Sequence, residues 1–264
     1  MTYVRTPAAE FAAKSAAGTA RIASAHPGQP PRRATRLTRR YEVSGLTRAG
    51  LLSDFNAIAP ASHAFESAFA GFARGTLIST TAGPVAVEDL IPGTMLETAG
   101  NGPQKLLWIG SMMIFPGLPD MAEDAVRLTR ITADSFGIGR PFPDLMLGPR
   151  ARMLHRSGMC RTRIGSEHAF APASAFIDGS SMISVKPAAP VRVYHLALEG
   201  QQILRANGME VESFHPGRDL EKSMDPGMLE LFLGLFPHVR SLEDFGMMGT
   251  PRLTTVELDE MDAA

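Results

Sequence analysis

The sequence predicts a mostly β fold: an all-β body of short strands, with a short helix before it and a C-terminal helix after it. Three observations lead there. The 264 residues include 25 glycines and 20 prolines, which punctuate the chain too often for a helical bundle. Between Thr76 and Phe214 the apolar residues fall into short runs bounded by turn formers such as Thr81-Ala82-Gly83-Pro84 and Ala99-Gly100-Asn101-Gly102. Helical spacing is found once before that stretch and once after it. At 44% hydrophobic and 20% charged, the composition supports a packed core.

The elements follow in order. Residues 1–40 read as a disordered basic arm. Ala, Ser, Gly and Pro dominate it, and Pro27, Pro30 and Pro31 oppose regular structure. It carries Arg5, Lys14, Arg21, Arg32, Arg33, Arg36, Arg39 and Arg40 against Glu10 alone, so the rest of this chain of net charge −1 is acidic. Such arginines can contact nucleic acid, lipid or an acidic partner. No aromatic residue interleaves them to stack on bases, so nucleic acid is not expected as a partner. Residues 41–70 read as a hairpin and a helix leading into the core. The hairpin turns at Thr47-Arg48-Ala49-Gly50; the helix, over 60–72, places Ala64, Phe65, Ala68, Phe69 and Phe72 on one face, with Ser62 at its N-cap. Strands are expected at 76–80, 94–97, 105–112, 126–131, 145–147, 183–186, 191–198, 202–205 and 211–214, with Trp108 in the core. Residues 218–264 read as a C-terminal helix and an acidic tail. Asp225-Pro226 starts the helix, Leu229, Phe232, Leu233 and Phe236 form its stripe, and Pro237 stops it. Residues 257–264 are expected to fray.

Composition also excludes chemistry. The single Cys160 allows neither an intrachain disulfide nor a thiolate metal site, and the seven His lack zinc-helix spacing, so no metal or cofactor is expected. Arg156, Arg161 and Arg163 would lower the pKa of Cys160 if the thiol were exposed, and this basic loop is a second candidate anion patch; otherwise the thiol is inert. No apolar run is long enough for a transmembrane helix and none resembles a signal peptide, which points to a cytoplasmic protein.

Four segments, spanning residues 71–217, carry a family resemblance. The first is Gly71-Phe72-Ala73-Arg74-Gly75-Thr76-Leu77-Ile78, running on through Glu88-Asp89-Leu90 to Pro92-Gly93. The second is Gln104-Lys105-Leu106-Leu107-Trp108-Ile109-Gly110. The third is Asp144-Leu145-Met146-Leu147-Gly148-Pro149-Arg150-Ala151 with Arg152-Met153-Leu154. The fourth runs from Val193-Tyr194-His195-Leu196 through Leu204-Arg205-Ala206-Asn207-Gly208 to Glu212-Ser213-Phe214-His215-Pro216-Gly217. In this order and spacing they resemble the Hedgehog/intein (Hint) domain of bacterial proteins. The resemblance implies a Hint-like body and self-directed acyl transfer, in which a Cys, Ser or Thr opening the domain attacks the carbonyl just before it. It also implies a His in the third segment that protonates the leaving nitrogen, and often one in the turn before the final strand.

At each of these positions the sequence departs from the pattern. Gly71 stands at the nucleophile, Ala151 at the third-segment His and Gln201 at the last. Glycine cannot attack, alanine carries no labile proton and glutamine is no acid or base near neutral pH. No catalytic residue is therefore assigned. Ser67 and Thr76 are the nearest hydroxyls, but each would require the site to move. His195 reads as a buried His bonded to a backbone carbonyl, with acid/base work in a residual cleft as the other reading. His155 reads as a surface residue rather than a replacement for the missing His. His215 and Glu88-Asp89 read as turn formers. The expected function is a non-catalytic binding or structural module, its cleft holding a protein partner or its own Ala68-Phe69-Ala70. The alternative is a residual self-cleaving enzyme with a relocated nucleophile.

Overall fold

The computed structural model describes residues 37–117, 122–217 and 220–262. The arm expected over 1–40 lies outside these residues up to Arg36. The strands run β1 (Thr38–Leu46), β2 (Leu52–Pro60), β3 (Phe72–Ala73), β4 (Leu77–Thr80), β5 (Gly83–Ala86), β6 (Met95–Thr98), β7 (Gly102–Lys105) and β8 (Trp108–Ile114). They continue with β9 (Leu128–Ile131), β10 (Leu145–Leu147), β11 (Arg152–Arg156), β12 (His168–Pro172), β13 (Met182–Val185), β14 (Val191–Ala197), β15 (Ile203–Ala206) and β16 (Met209–Glu212). The helices are α1 (His63–Ser67), α2 (Gly158–Ile164), α3 (Leu220–Ser223), α4 (Pro226–Leu233) and α5 (Thr255–Asp262). Among the described residues no helix is long and apolar enough to cross a membrane.

The strands form two 8-stranded sheets, so the expectation of a mostly β body holds. One has the order β13-β9-β10-β3-β14-β8-β1-β2; the other runs β12-β11-β16-β15-β4-β6-β7, with β5 on β4. The two-residue β3 is central to the first. Phe72 pairs with Leu147 of β10 on one side and Tyr194 of β14 on the other, so the chain entering at Gly71 is clamped between two strands.

The hairpin and the C-terminal helix share the core of the body. Tyr41, Phe65, Phe69, Trp108, Phe214, Phe232 and Phe236 lie in one buried cluster. Trp108 donates its indole N–H to the Leu235 carbonyl at 2.8 Å, tying the segment after α4 to β8. Gly110 makes room for these rings: a Cβ there would lie 2.5 Å from Phe69 Cδ1. The Trp-Ile-Gly order thus has a steric reason.

Four expectations are corrected. Strand β1 begins at Thr38, inside the stretch read as arm, because Arg39 is buried and donates Nε–H to Glu66 Oε1 at 2.9 Å. Helix α1 ends at Ser67, well short of Phe72, and Ser62 makes no side-chain cap bond; the chain must straighten to enter the sheet. The basic loop at 156–163 is mostly helix α2, capped by the Ser157 hydroxyl, which accepts from Met159 N–H at 3.2 Å. The frayed tail is helix α5. Thr254 and Glu257 cap each other at its start, with Thr254 N–H to Glu257 Oε2 at 2.8 Å and Glu257 N–H to Thr254 Oγ1 at 3.2 Å. Its Leu258 and Met261 pack on Cys160, Ala169 and Ala171.

Candidate functional site

The site is built where the chain passes from α1 into β3. Ala68, Phe69 and Ala70 are wholly buried. Gly71 N–H donates to the Tyr194 carbonyl at 2.9 Å, and the Gly71 carbonyl accepts from Gly148 N–H at 2.9 Å. The Ala70 carbonyl, the one a nucleophile at 71 would attack, accepts from Arg150 N–H at 3.0 Å. The third segment therefore grips the Ala70–Gly71 peptide, and a backbone donor points at the Ala70 oxygen, as an oxyanion donor would. A Cβ on Gly148 would lie 2.7 Å from the Ala70 carbonyl carbon, so the turn can approach only because position 148 is glycine.

His195, on β14, fills the space where a side chain at 71 would be. A Cβ on Gly71 would sit 2.5 Å from His195 Cδ2 and 2.7 Å from Nε2. The ring is held between Phe72 and Phe214, with centroids at 5.9 and 5.5 Å, and its Nδ1 lies 3.0 Å from the Ser67 carbonyl. A carbonyl only accepts, so the proton sits on Nδ1. Burial pushes the pKa down to about 4 against the pull of the Ser67 and Glu212 carbonyls, and Arg152 and Arg252 depress it further. The imidazole is neutral at physiological pH and a weak base. The expectation of a buried His bonded to a backbone carbonyl holds; that it would abut Gly71 was not foreseen.

Ala151 is buried in a cluster with Phe72, Leu147 and Met153 and offers no proton. Gln201 donates Nε2–H to Glu212 and accepts from Thr250 N–H at 2.8 Å. The Glu212 side chain is 3% exposed and also accepts from Arg252 Nε at 2.8 Å, with Arg152 at 3.8 Å. Arg252 in turn donates to the His215 carbonyl at 2.7 Å. Gln201 thus belongs to a buried ionic network with Glu212 and Arg252.

The remaining candidates lead away from chemistry. The Ser67 hydroxyl donates to the His63 carbonyl at 2.7 Å, and Thr76 Oγ1 lies 2.8 Å from the Ala73 carbonyl. Glu88 accepts from Gly75 N–H at 2.8 Å and from Arg74 Nε at 3.2 Å; partial burial raises its pKa, but these bonds outweigh it and hold the carboxyl low. It closes the turn at Gly75, whose φ of +86° favours glycine. His215 Nδ1 accepts from Gly217 N–H at 3.1 Å, and Nε2 faces the Gly246 carbonyl at 3.2 Å, a turn-forming role. His155 is half-buried against Phe176 rather than on the surface. Cys160 is fully buried in α2, which removes the exposed-thiol reading.

Sequence reasoning passed over Glu212, Arg252 and the side chains of Arg150 and Arg152. A charge on a short strand or in a loop reads as solvated, and nothing local marks these as buried.

A model of the Hint domain matches residues 70–218. The chain is also similar to the solution structure of a bacterial intein-like domain from Clostridium thermocellum, at 12% identity and a TM-score of 0.38, over 55% of this chain and 99% of that one. It is similar as well to a splice-inactive variant of the AceL NrdHF class 3 split intein, at 13% identity and a TM-score of 0.37, over 54% of this chain and 97% of that one. No curated protein matches it.

Proposed function

The chain belongs to the Hint-domain family, and on that premise we propose that it is a non-catalytic member, a binding or structural module that has lost self-cleavage. The observation that carries this reading is the His195 ring in the side-chain space of Gly71, held by the Ser67 carbonyl. Position 71 has no attacking atom, and the space for one is taken. Position 151 has no proton to give, and Gln201 is committed to Glu212. What persists is the grip on the Ala70 carbonyl, which serves structure as well as it once served chemistry. In this reading the old substrate cleft is filled by the chain's own Ala68-Phe69-Ala70, an uncut substrate that completes the core.

A relocated nucleophile is less well supported. The hydroxyls of Ser67 and Thr76 both hydrogen-bond to carbonyls within their own turns. The test is intact mass after prolonged incubation with dithiothreitol or hydroxylamine, which trap thioesters and esters. A single 28.3 kDa chain is expected. A fragment ending near residue 70 would overturn the reading.

A further inference from the structure

We propose that the cavity beside Ala151 binds a small molecule through a phosphate group. The cavity is about 300 Å³, and its described lining includes Arg127, Arg150, Arg152, His63 and Ser174, with Asp124 the one acidic residue. Pro149, Arg150 and Ala151, from the turn that grips the Ala70–Gly71 peptide, form part of its lining. The inference goes beyond the loss of cleavage and holds whether or not the chain cuts itself.

The arginines are incompletely neutralised. Arg127 pairs with Glu123 and Arg150 with Asp124, and those acids are 68% and 70% exposed, where water screens them. Arg152 reaches Glu212 only at 3.8 Å, while Arg252 engages the same carboxylate at 2.8 Å. Arg150 Nε is buried with no hydrogen-bond partner among the described residues. His63 senses the same field: burial lowers its pKa, and Arg150 and Arg152 lower it further.

Guanidinium forks match the oxygens of phosphate, and a cavity lined by three arginines suits a dianion better than a single carboxylate. The volume lies at the lower end of the range for small-molecule sites, roughly 300–1,000 Å³, which favours a small phosphate ester over a nucleotide.

The test is calorimetric titration of the full-length protein at low ionic strength with inorganic phosphate, glycerol phosphate and acetate. Saturable one-site binding of both phosphates is expected, tighter than acetate. Arg127→Gln and Arg150→Gln should each weaken it by about tenfold, the effect of losing one charge-assisted contact. Arg161→Gln, on the exposed face of α2, should leave it unchanged. Thermal melts establish that each variant folds; should Arg150→Gln fail to fold, Arg127→Gln, at a half-exposed side chain, decides alone. Absence of saturation, acetate binding as tight as phosphate, or equal weakening by Arg161→Gln would overturn the proposal.

Discussion

Gly148→Ala is expected to lower stability by about 3 kcal/mol, far more than a surface glycine replacement would. The reason is steric. A Cβ at 148 would be driven into the Ala70 carbonyl, 2.7 Å from its carbon, and backbone cannot swing aside as a side-chain tip can. Relief requires the turn at 148–151 to withdraw from the chain entering β3. That stretches two hydrogen bonds, Arg150 N–H to the Ala70 carbonyl and Gly148 N–H to the Gly71 carbonyl, each worth about 1 kcal/mol. Overpacking supplies the rest. Urea unfolding should show the midpoint falling with the slope unchanged. A loss below about 1 kcal/mol would mean that the grip on the Ala70–Gly71 peptide is looser than described.

Glu212→Ala is expected to cost a similar amount, about 3 kcal/mol, at the lower end for breaking a buried ion pair. The carboxylate is 3% exposed and neutralises Arg252 directly and Arg152 at longer range. Its removal takes the acceptor from Arg252 Nε–H and the Gln201 amide, and the counter-charge from Arg152. The arginines are 19% and 26% exposed, so water offsets part of the loss, which is why the upper end of that range is not expected. The same urea measurement checks it, and an unchanged midpoint would show that the network adds nothing to stability.

The fold was legible because its signals are local. Turn chemistry at Thr81-Ala82-Gly83-Pro84, the apolar runs around Trp108 and Val193, and the Asp225-Pro226 helix start each act within a few residues, and the structure follows them. Asp225 Oδ1 does accept from Met228 N–H at 3.0 Å, as an N-cap should. Helix α5 was also legible in principle: Thr254-Thr255-Val256-Glu257 is a capping box, hidden by the acidity of the residues after it. The short β3, β5, β7, β11 and β12 were missed because their residues alternate weakly: β5 and β7 are brief returns on the neighbouring β4 and β6, while β3 and β11 gain pairing from distant partners, as Met153 does with Val211.

The site was legible only as absences. Gly71, Ala151 and Gln201 could be read as missing groups, yet nothing local says what stands in their place. That His195 reaches Gly71 depends on the pairing of Tyr194 with Phe72, a contact across more than a hundred residues. That Glu212 is buried between arginines depends on Arg252, further along the chain in a segment with no regular pattern. Burial of charge and occupation of a cleft are tertiary facts. Sequence spacing carries them only when a motif fixes both partners.

In the proposed reading the loss of self-cleavage extends through the whole site and does not stop at one side chain, so restoring the nucleophile and making room for it should not restore cleavage. Gly71→Cys combined with His195→Ala supplies a thiol beside the Ala70 carbonyl and removes the ring that would collide with it. Intact mass after incubation with hydroxylamine is the measurement. A single uncut chain is expected, because no residue at 151 or 201 can protonate the leaving amine. Release of a fragment with its break between Ala70 and Gly71 would overturn this reading, and would show that Gly71 and the His195 ring together had silenced a site otherwise able to cut.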